Sequence, residues 1–192
     1  MVRAAPLSPD ARRASIIAAT LPLLRLHGRA VTTSQIALAA GVAEGTLFRV
    51  FPDKDSLIDA AIKSAFDPEP FDRELASIDR SLGMREQLIA VADVLQRRIG
   101  QIWQLIAMLG LPAPPPEKTR DHAADDARLR QQLATFFEPF RAEFRVDPEQ
   151  AARLLRSLAF AGTHPRMTDK PLTAHELVSL LLDGIRTQEE EA

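Results

Sequence analysis

The chain has 192 residues, of which 46% are hydrophobic and 26% are charged. The length allows one globular domain or two small ones. The hydrophobic and charged fractions are close to globular averages and exclude a chain that is disordered throughout. Cysteine is absent, which excludes disulfide bonds and thiolate metal sites and permits a reducing cytosol. Glycine occurs only 8 times, and a glycine-poor sequence rich in alanine and leucine favours helix.

The charge is small in total but uneven along the chain. The net charge of −2 argues against a general nucleic-acid coat protein, yet residues 1–65 carry eight basic and five acidic side chains. This asymmetry favours contact with a polyanion at one end only. The first residues lack the apolar core of a secretory signal, and the uncharged stretch 99–116 contains glutamines and ends in prolines. We therefore expect a cytoplasmic protein without a membrane span.

The first predicted helix begins at Pro9, with Ser8 as its N-cap, and ends at Gly28. Pro22 lies inside the pattern and is expected to kink the helix or shift its hydrogen bonds. The inward face is predicted from apolar residues spaced three or four apart. These residues are Ala14, Ile17, Ala18, Leu21 and Leu24.

The segment 31–66 predicts two short helices joined by a tight turn at Gly41, followed by a longer helix. Thr33 is the expected cap of the first short helix, and Asp53 is the expected cap of the longer one. Two short helices joined by a glycine turn form a helix-turn-helix. The first short helix holds Ile36, Ala37 and Ala40, and the second carries Leu47, Phe48 and Phe51. The residues predicted to pack into the core around them are Val42, Leu57, Ala61 and Ile62.

The sequence DPEP at 67–70 predicts a boundary between a domain of residues 1–66 and a domain of residues 67–192. In the second domain we expect a short helix over about 71–81 and a long one with an apolar stripe from Leu88 to Leu109. A further helix is predicted to carry the aromatic residues up to Phe144, with a bend at Pro139. Asp147 and a capping box at 173–176 open the last two helices. The predicted fold class is therefore all-α.

The string TTSQIALAAGVAEGTLFRVFPDKDSL, at residues 32–57, contains a threonine pair, Ile-Ala, Ala-Gly-Val, Gly-Thr-Leu and a lysine shortly after proline. In this order the motifs resemble the DNA-binding segment of the TetR family of bacterial transcriptional regulators. The resemblance covers about the first third of the chain, and the remainder matches only in helical character. It implies an all-helical homodimer, whose N-terminal three-helix unit reads double-stranded operator DNA and whose C-terminal helices hold a small-molecule inducer and form the dimer interface.

The resemblance also implies which residues contact DNA. Thr33, Thr46 and Lys54 would donate to phosphates at helix N-termini, and Gly45 would let the backbone approach closely. Arg49 is the candidate for base readout, because a guanidinium pairs with guanine through two hydrogen bonds. Glu44 would either accept from a cytosine amine or complement its own helix N-terminus. The full predicted set is Thr33, Ser34, Glu44, Gly45, Thr46, Phe48, Arg49 and Lys54.

Two residues depart from the family pattern. Phe48 stands where a tyrosine is usual, so a hydroxyl bond to phosphate is lost while ring contact with a sugar or a thymine methyl remains. Ala43 stands where a capping serine or threonine is common, which costs the recognition helix about 1 kcal/mol of capping. Both departures predict weaker positioning on DNA.

The C-terminal domain supplies two further sets of candidates. An aromatic and methionine stripe with nearby glutamines is predicted to line the inducer pocket, although ordinary core packing also explains such a stripe. The broad apolar faces of the last two helices predict the dimer interface, or else helices that wrap the pocket. The pocket candidates are Gln101, Trp103, Gln104, Met108, Phe136, Phe137 and Phe140. The interface candidates are Leu154, Leu155, Leu158, Leu177, Leu181 and Ile185.

The sequence gives no support for catalysis, for a cofactor or for a metal. A Ser-His-Asp order, a phosphate loop and an HExxH motif are all absent, and His122 in DHAADD is better explained by a solvated helix start. We therefore expect a repressor that a small molecule releases from its operator. The alternative is a helical ligand-binding or scaffold protein that does not bind an operator.

Overall fold

The computed structural model describes residues 8–111 and 122–186, and its regular secondary structure is helical throughout these ranges. The one β-type pairing within them is an isolated antiparallel bridge between Phe144 and Arg186, so the all-α prediction is confirmed. The α-helices are α1 (Pro9–His27), α2 (Thr33–Ala40), α3 (Glu44–Val50), α4 (Lys54–Ala65), α5 (Glu69–Ala76), α6 (Met84–Met108), α7 (His122–Ala134), α8 (Pro148–Ala161) and α9 (Ala174–Ile185).

The chain forms two compact units. Of the described residues, 8–68 and 104–111 belong to the first unit, and 69–103 with 122–186 belong to the second. The second unit begins at Glu69, inside the sequence DPEP at 67–70, and the last turn of α6 belongs to the first unit. None of the described helices is long and apolar enough to span a bilayer.

Helix α1 begins as predicted, because the Ser8 hydroxyl accepts the backbone N–H of Ala11 and Pro9 fills the first turn. Its inward face differs from the prediction: Ile16, Thr20 and Leu24 are the buried residues, and Ala14 and Ala18 are exposed. The Thr20 hydroxyl donates to the carbonyl of Ile16 at 2.8 Å. This intrahelical bond explains how a polar side chain occupies the buried face.

Gly28 ends α1 in a conformation that only glycine adopts readily. Its φ is +56°, and its N–H donates to the carbonyl of Leu24. A Cβ added at this position would lie 2.5 Å from the backbone oxygen of Met108. The sequence signal for this helix end is therefore confirmed, and a close backbone approach adds a second reason for glycine.

Helix α2 is capped one residue earlier than predicted, by Thr32. The Thr32 hydroxyl accepts the N–H of Gln35, and the Gln35 side chain accepts the N–H of Thr32. Thr33 is therefore the first helical residue. Gly41 makes the predicted tight turn with a φ of +64°, and Asp53 caps α4 by accepting the N–H of Ser56.

The first unit has its own apolar core, built from one face of each of its helices. Phe51, just past the end of α3, is among its largest buried side chains. Val42, the residue after the Gly41 turn, packs against this core as predicted. The buried members are Ile16, Leu24, Val31, Ile36, Ala37, Leu47, Phe51, Leu57, Ile58, Ala61, Ile62, Ala65 and Leu105.

Two helices of the second unit are shorter than the sequence predicts. Helix α5 ends at Ala76, and α7 ends at Ala134 rather than continuing to Phe144. The chain then turns, because Phe136 and Phe137 insert into the core and Pro139 enters a short 3₁₀ segment, Glu138–Glu143. Aromatic spacing was consistent with one continuous helix, but the proline lacks the N–H that such a helix needs.

The last two helices begin where their caps predict. Asp147 accepts the N–H of Gln150 at the start of α8, and Thr173 and Glu176 form the capping box of α9. Five apolar residues of α9 are buried, and they join one core with α6, α7 and α8. These five are Leu177, Val178, Leu181, Leu182 and Ile185.

Candidate nucleic-acid interface

Helix α3 buries one side in its own unit and exposes the other. Leu47 is 2% exposed, whereas Phe48 is 51% exposed and Gly45 and Arg49 are also at the surface. All three of these exposed residues are among the predicted DNA-contacting residues, and they lie on this exposed side. The exposed side of α3 therefore carries an aromatic ring, a guanidinium and a bare stretch of backbone.

The N-terminus of α3 is tied to the N-terminus of α2 by a carboxylate. Thr33 Oγ1 donates to one oxygen of Glu44, and Ser34 Oγ donates to the other at 3.0 Å. These two hydrogen bonds lower the pKa of Glu44 from its ordinary value, because both stabilise the ionised form. Three of the predicted DNA-contacting residues thus lie together on the surface of the first unit.

Lys54 has a partner within the first unit. Its Nζ donates to the backbone carbonyl of Arg29 at 2.9 Å. The Arg29 guanidinium in turn faces the carboxylates of Asp55 and Asp59 at 3.7 and 3.8 Å. Lys54 is only partly buried, so a cation remains at the start of α4 beside the N-cap Asp53.

Arg13 is a residue whose role the sequence did not reveal. Its guanidinium lies 4.3 Å from the centre of the Phe51 ring, and its Nη1 donates to the carbonyl of Val50 at 3.4 Å. Val50 is the last residue of α3, so one α1 side chain contacts the end of the helix that exposes Arg49. A sequence could show this only if the packing of α1 against α3 were known.

The residues predicted to line a ligand pocket lie in different surroundings. Phe136 and Phe137 are at most 1% exposed and belong to the core of the second unit, while Met108 is 43% exposed. The Arg80 guanidinium covers the Phe136 ring at 3.4 Å. Phe140 packs against the same core, Gln101 and Gln104 are exposed, and Gln104 and Met108 belong to the first unit.

Trp103 contacts a histidine and a phenylalanine of the second unit. Its ring centre lies 4.1 Å from that of His164 and 6.5 Å from that of Phe160. His164 is 6% exposed, and its Nδ1 accepts the N–H of Arg166 at 3.1 Å. The side chain of Gln96 donates to the hydroxyl of Thr163, the residue before His164. The sequence offers no signal for His164 or Phe160 at this place, because neither belongs to an apolar stripe with Trp103.

Most of the predicted interface leucines face the chain's own core. Leu155, Leu177, Leu181 and Ile185 are at most 4% exposed, so their side chains are already covered within one subunit, and Leu158 is partly buried against the same core. The large apolar side chains that α8 and α9 expose are Leu154, Phe160 and Leu180, at 37%, 40% and 56%. The sequence showed that both helices have broad apolar faces. It did not show which part of each face is covered within the subunit.

Comparison with known proteins places the first unit in a described family. The family of bacterial regulatory proteins known as the tetR family matches residues 16–61, a span from within α1 to within α4. The nucleoid occlusion factor SlmA of Yersinia pseudotuberculosis is 29% identical over 174 residues, covering 72% of this chain and 88% of that protein. The same factor from Yersinia enterocolitica is 28% identical over the same length.

Solved structures show that the fold extends over nearly the whole chain. A TetR transcriptional regulator from Streptomyces coelicolor covers 92% of this chain and 99% of its own, with a TM-score of 0.58 and 22% identity. The ketosteroid transcriptional regulator KstR2 of Mycobacterium tuberculosis covers 97% of this chain and 100% of its own, with a TM-score of 0.51 and 19% identity. At these identities the likeness is one of fold.

Proposed function

Because this chain belongs to the TetR family of bacterial regulatory proteins and is a DNA-binding transcriptional regulator, we propose that it is a repressor that a small molecule releases from its operator. Regulators of this family are generally not enzymes. The observation that carries the proposal is the surface of α3, which exposes Gly45, Phe48 and Arg49 within the segment that matches the family.

The proposed DNA contacts follow from the chemistry of the exposed groups. Arg49 reads a guanine edge in the major groove, and Phe48 contacts a sugar or a thymine methyl. Lys54 approaches a phosphate at the start of α4, and Thr33, Ser34 and Thr46 lie at the positive ends of short helices, where phosphate oxygens find donors.

The repressor is proposed to act as a homodimer, as TetR-type regulators usually do. Two copies place two recognition helices on half-sites about 34–36 Å apart. Four of the six predicted interface residues are buried within the subunit. We therefore assign the contact between the two copies to the exposed side chains Leu154 and Leu180. The chemistry of these two side chains supports an apolar contact between copies.

Ligand release is proposed as a shift between two arrangements of the dimer. A small molecule bound in the second unit favours an arrangement whose recognition helices no longer match successive major grooves. A hundredfold loss of operator affinity requires about 2.7 kcal/mol of differential ligand binding in total. The aromatic side chains Trp103, Phe136, Phe137 and Phe140 remain the predicted lining of this ligand site.

An electrophoretic mobility shift on the DNA upstream of the protein's own gene tests the proposal. We expect a retarded complex, and we expect Arg49→Ala to relax the sequence preference at one base position. Lys54→Ala is expected to weaken binding to every sequence and to reduce the salt slope by about one unit. The Lys63→Ala variant, a lysine of the same helix, serves as the matched control. If neither Arg49→Ala nor Lys54→Ala changes DNA affinity, the chain is better described as a ligand-binding protein that does not bind an operator.

A further inference from the structure

The two hydroxyl groups at the start of α2 both donate hydrogen bonds to a carboxylate of the same chain. Thr33 Oγ1 and Ser34 Oγ donate to opposite oxygens of Glu44. A hydroxyl has one proton to donate, and a DNA phosphate diester offers only acceptor oxygens. Neither hydroxyl can therefore donate to Glu44 and to a phosphate at the same time.

Glu44 is placed where it can change partners. Its side chain and that of Ser34 are exposed, and Thr33 is only partly buried. Since hydrogen bonding lowers the pKa of Glu44, the carboxylate is ionised at neutral pH and repels a nearby phosphate. It lies in the first turn of α3, the helix proposed to enter the major groove, where the amine of cytosine is a hydrogen-bond donor that a carboxylate accepts.

We propose that Glu44 determines DNA specificity by exchanging hydrogen-bond partners. In the free protein it accepts from Thr33 and Ser34. On the cognate duplex it accepts instead from a cytosine amine, and the two freed hydroxyls donate to a backbone phosphate. This inference rests on the proposed operator binding.

The exchange makes phosphate binding at α2 depend on the base sequence. On a duplex that lacks cytosine at the contacted position, a released carboxylate loses two donors and gains none, while it still faces the negative backbone. The phosphate contact is then unfavourable, so Glu44 weakens binding to random DNA more than binding to the cognate duplex. Specificity of this kind comes from penalising the wrong partner.

The first experiment compares two duplexes of equal length, one selected by the wild-type protein from a random-sequence pool and one unselected. Fluorescence anisotropy at a single salt concentration measures Kd for each. We expect Glu44→Ala to tighten binding to the unselected duplex by about fivefold, the effect of about one hydrogen bond or charge contact, and to leave binding to the selected duplex unimproved. Asp10→Ala, which removes a first-turn carboxylate of α1, is the matched control and should change neither Kd more than about twofold.

A second experiment separates partner exchange from simple loss of charge. The paired substitution Thr33→Val with Ser34→Ala is made with Glu44 present and in the Glu44→Ala background. With Glu44 present, we expect less than about a twofold effect on the unselected duplex, because the hydroxyls are occupied. In the Glu44→Ala background the same pair should weaken binding about threefold. Equal effects in the two backgrounds would overturn the exchange.

The two proposals fail in different ways. A wild-type protein that selects no duplex and binds neither probe contradicts the proposed function. A wild-type protein that selects a duplex, but whose preference for it is unchanged by Glu44→Ala, contradicts only the exchange. Circular dichroism of each variant establishes that its helices are intact before the affinities are compared.

Discussion

Arg13 connects α1 to the end of α3 through two contacts of different kinds. Its guanidinium lies over the Phe51 ring, and it donates to the carbonyl of Val50. The carbonyl groups at a helix end lack intrahelical donors, so the second contact satisfies part of the C-terminus of α3. Phe51 is 2% exposed, so the core around it holds in place the ring that Arg13 contacts. We interpret Arg13 as a positioning residue for α3.

We expect Arg13→Met to weaken operator binding without changing the slope of log K against log salt. The side-chain stem is retained while the guanidinium contacts are lost, and the free energy of unfolding should fall by about 1 kcal/mol. Urea denaturation and anisotropy titrations at several salt concentrations measure the two effects. Arg12→Met is the neighbouring control. A salt slope reduced by about one unit would instead mean that Arg13 binds a phosphate.

At the scale of the elements, the helix starts were the most predictable feature. Ser8, Asp53, Asp147 and Thr173 each cap the helix that the sequence assigned to them, because capping depends on residues only three positions apart. At α2, however, two adjacent threonines offer the same cap chemistry. The structure uses Thr32, and Thr33 is then free to reach Glu44.

Features that depend on tertiary packing were less predictable. The buried face of α1 contains Ile16 and Thr20, whereas Ala14 and Ala18 are exposed. Alanine is small enough for either side of a helix, and the Thr20 hydroxyl is satisfied by the carbonyl of Ile16. The contacts of Glu44 and Arg13 likewise join helices whose relative placement no local pattern contains. The residue types of the candidate interface were therefore predictable from the sequence, but their partners were not.

The cap of α4 should make stability depend on pH in a defined direction. Hydrogen bonds from Ser56 lower the pKa of Asp53 below the ordinary value of an aspartate. A lowered folded-state pKa contributes stability above the unfolded pKa, and this contribution is lost as pH falls through the folded value. We expect Asp53→Asn, which keeps an effective cap, to lose less stability than the wild type on acidification. Urea midpoints at neutral pH and below the ordinary pKa of aspartate measure this. An identical pH dependence of the two proteins would contradict the prediction.

At the scale of the whole molecule, the division between covered and exposed leucines decides where a second copy can bind. Leu155 and Leu181 are buried in the subunit core, whereas Leu154 and Leu180 on the same two helices are exposed. A dimer contact built on the exposed pair leaves the fold of each subunit independent of association. Variants at these positions therefore separate oligomeric state from stability.

We expect Leu180→Asp to convert a dimer to monomers while leaving each subunit folded. An exposed side chain contributes little to the core, but a carboxylate in an apolar contact between copies is strongly unfavourable. Analytical ultracentrifugation measures the molecular mass, and circular dichroism measures folding. Leu26→Asp, at a side chain of the first unit that is 66% exposed, is the control. A Leu180→Asp protein that remains dimeric would place the interface elsewhere.

Trp103 gives this protein an intrinsic optical reporter. The chain contains one tryptophan and no tyrosine, so essentially all of its near-ultraviolet emission comes from a single indole in the second unit. That indole contacts His164 and Phe160, so a rearrangement of these rings changes its surroundings. Fluorescence therefore follows changes around this ring without any attached dye. Binding of DNA by the first unit can be monitored separately, with a label on the duplex.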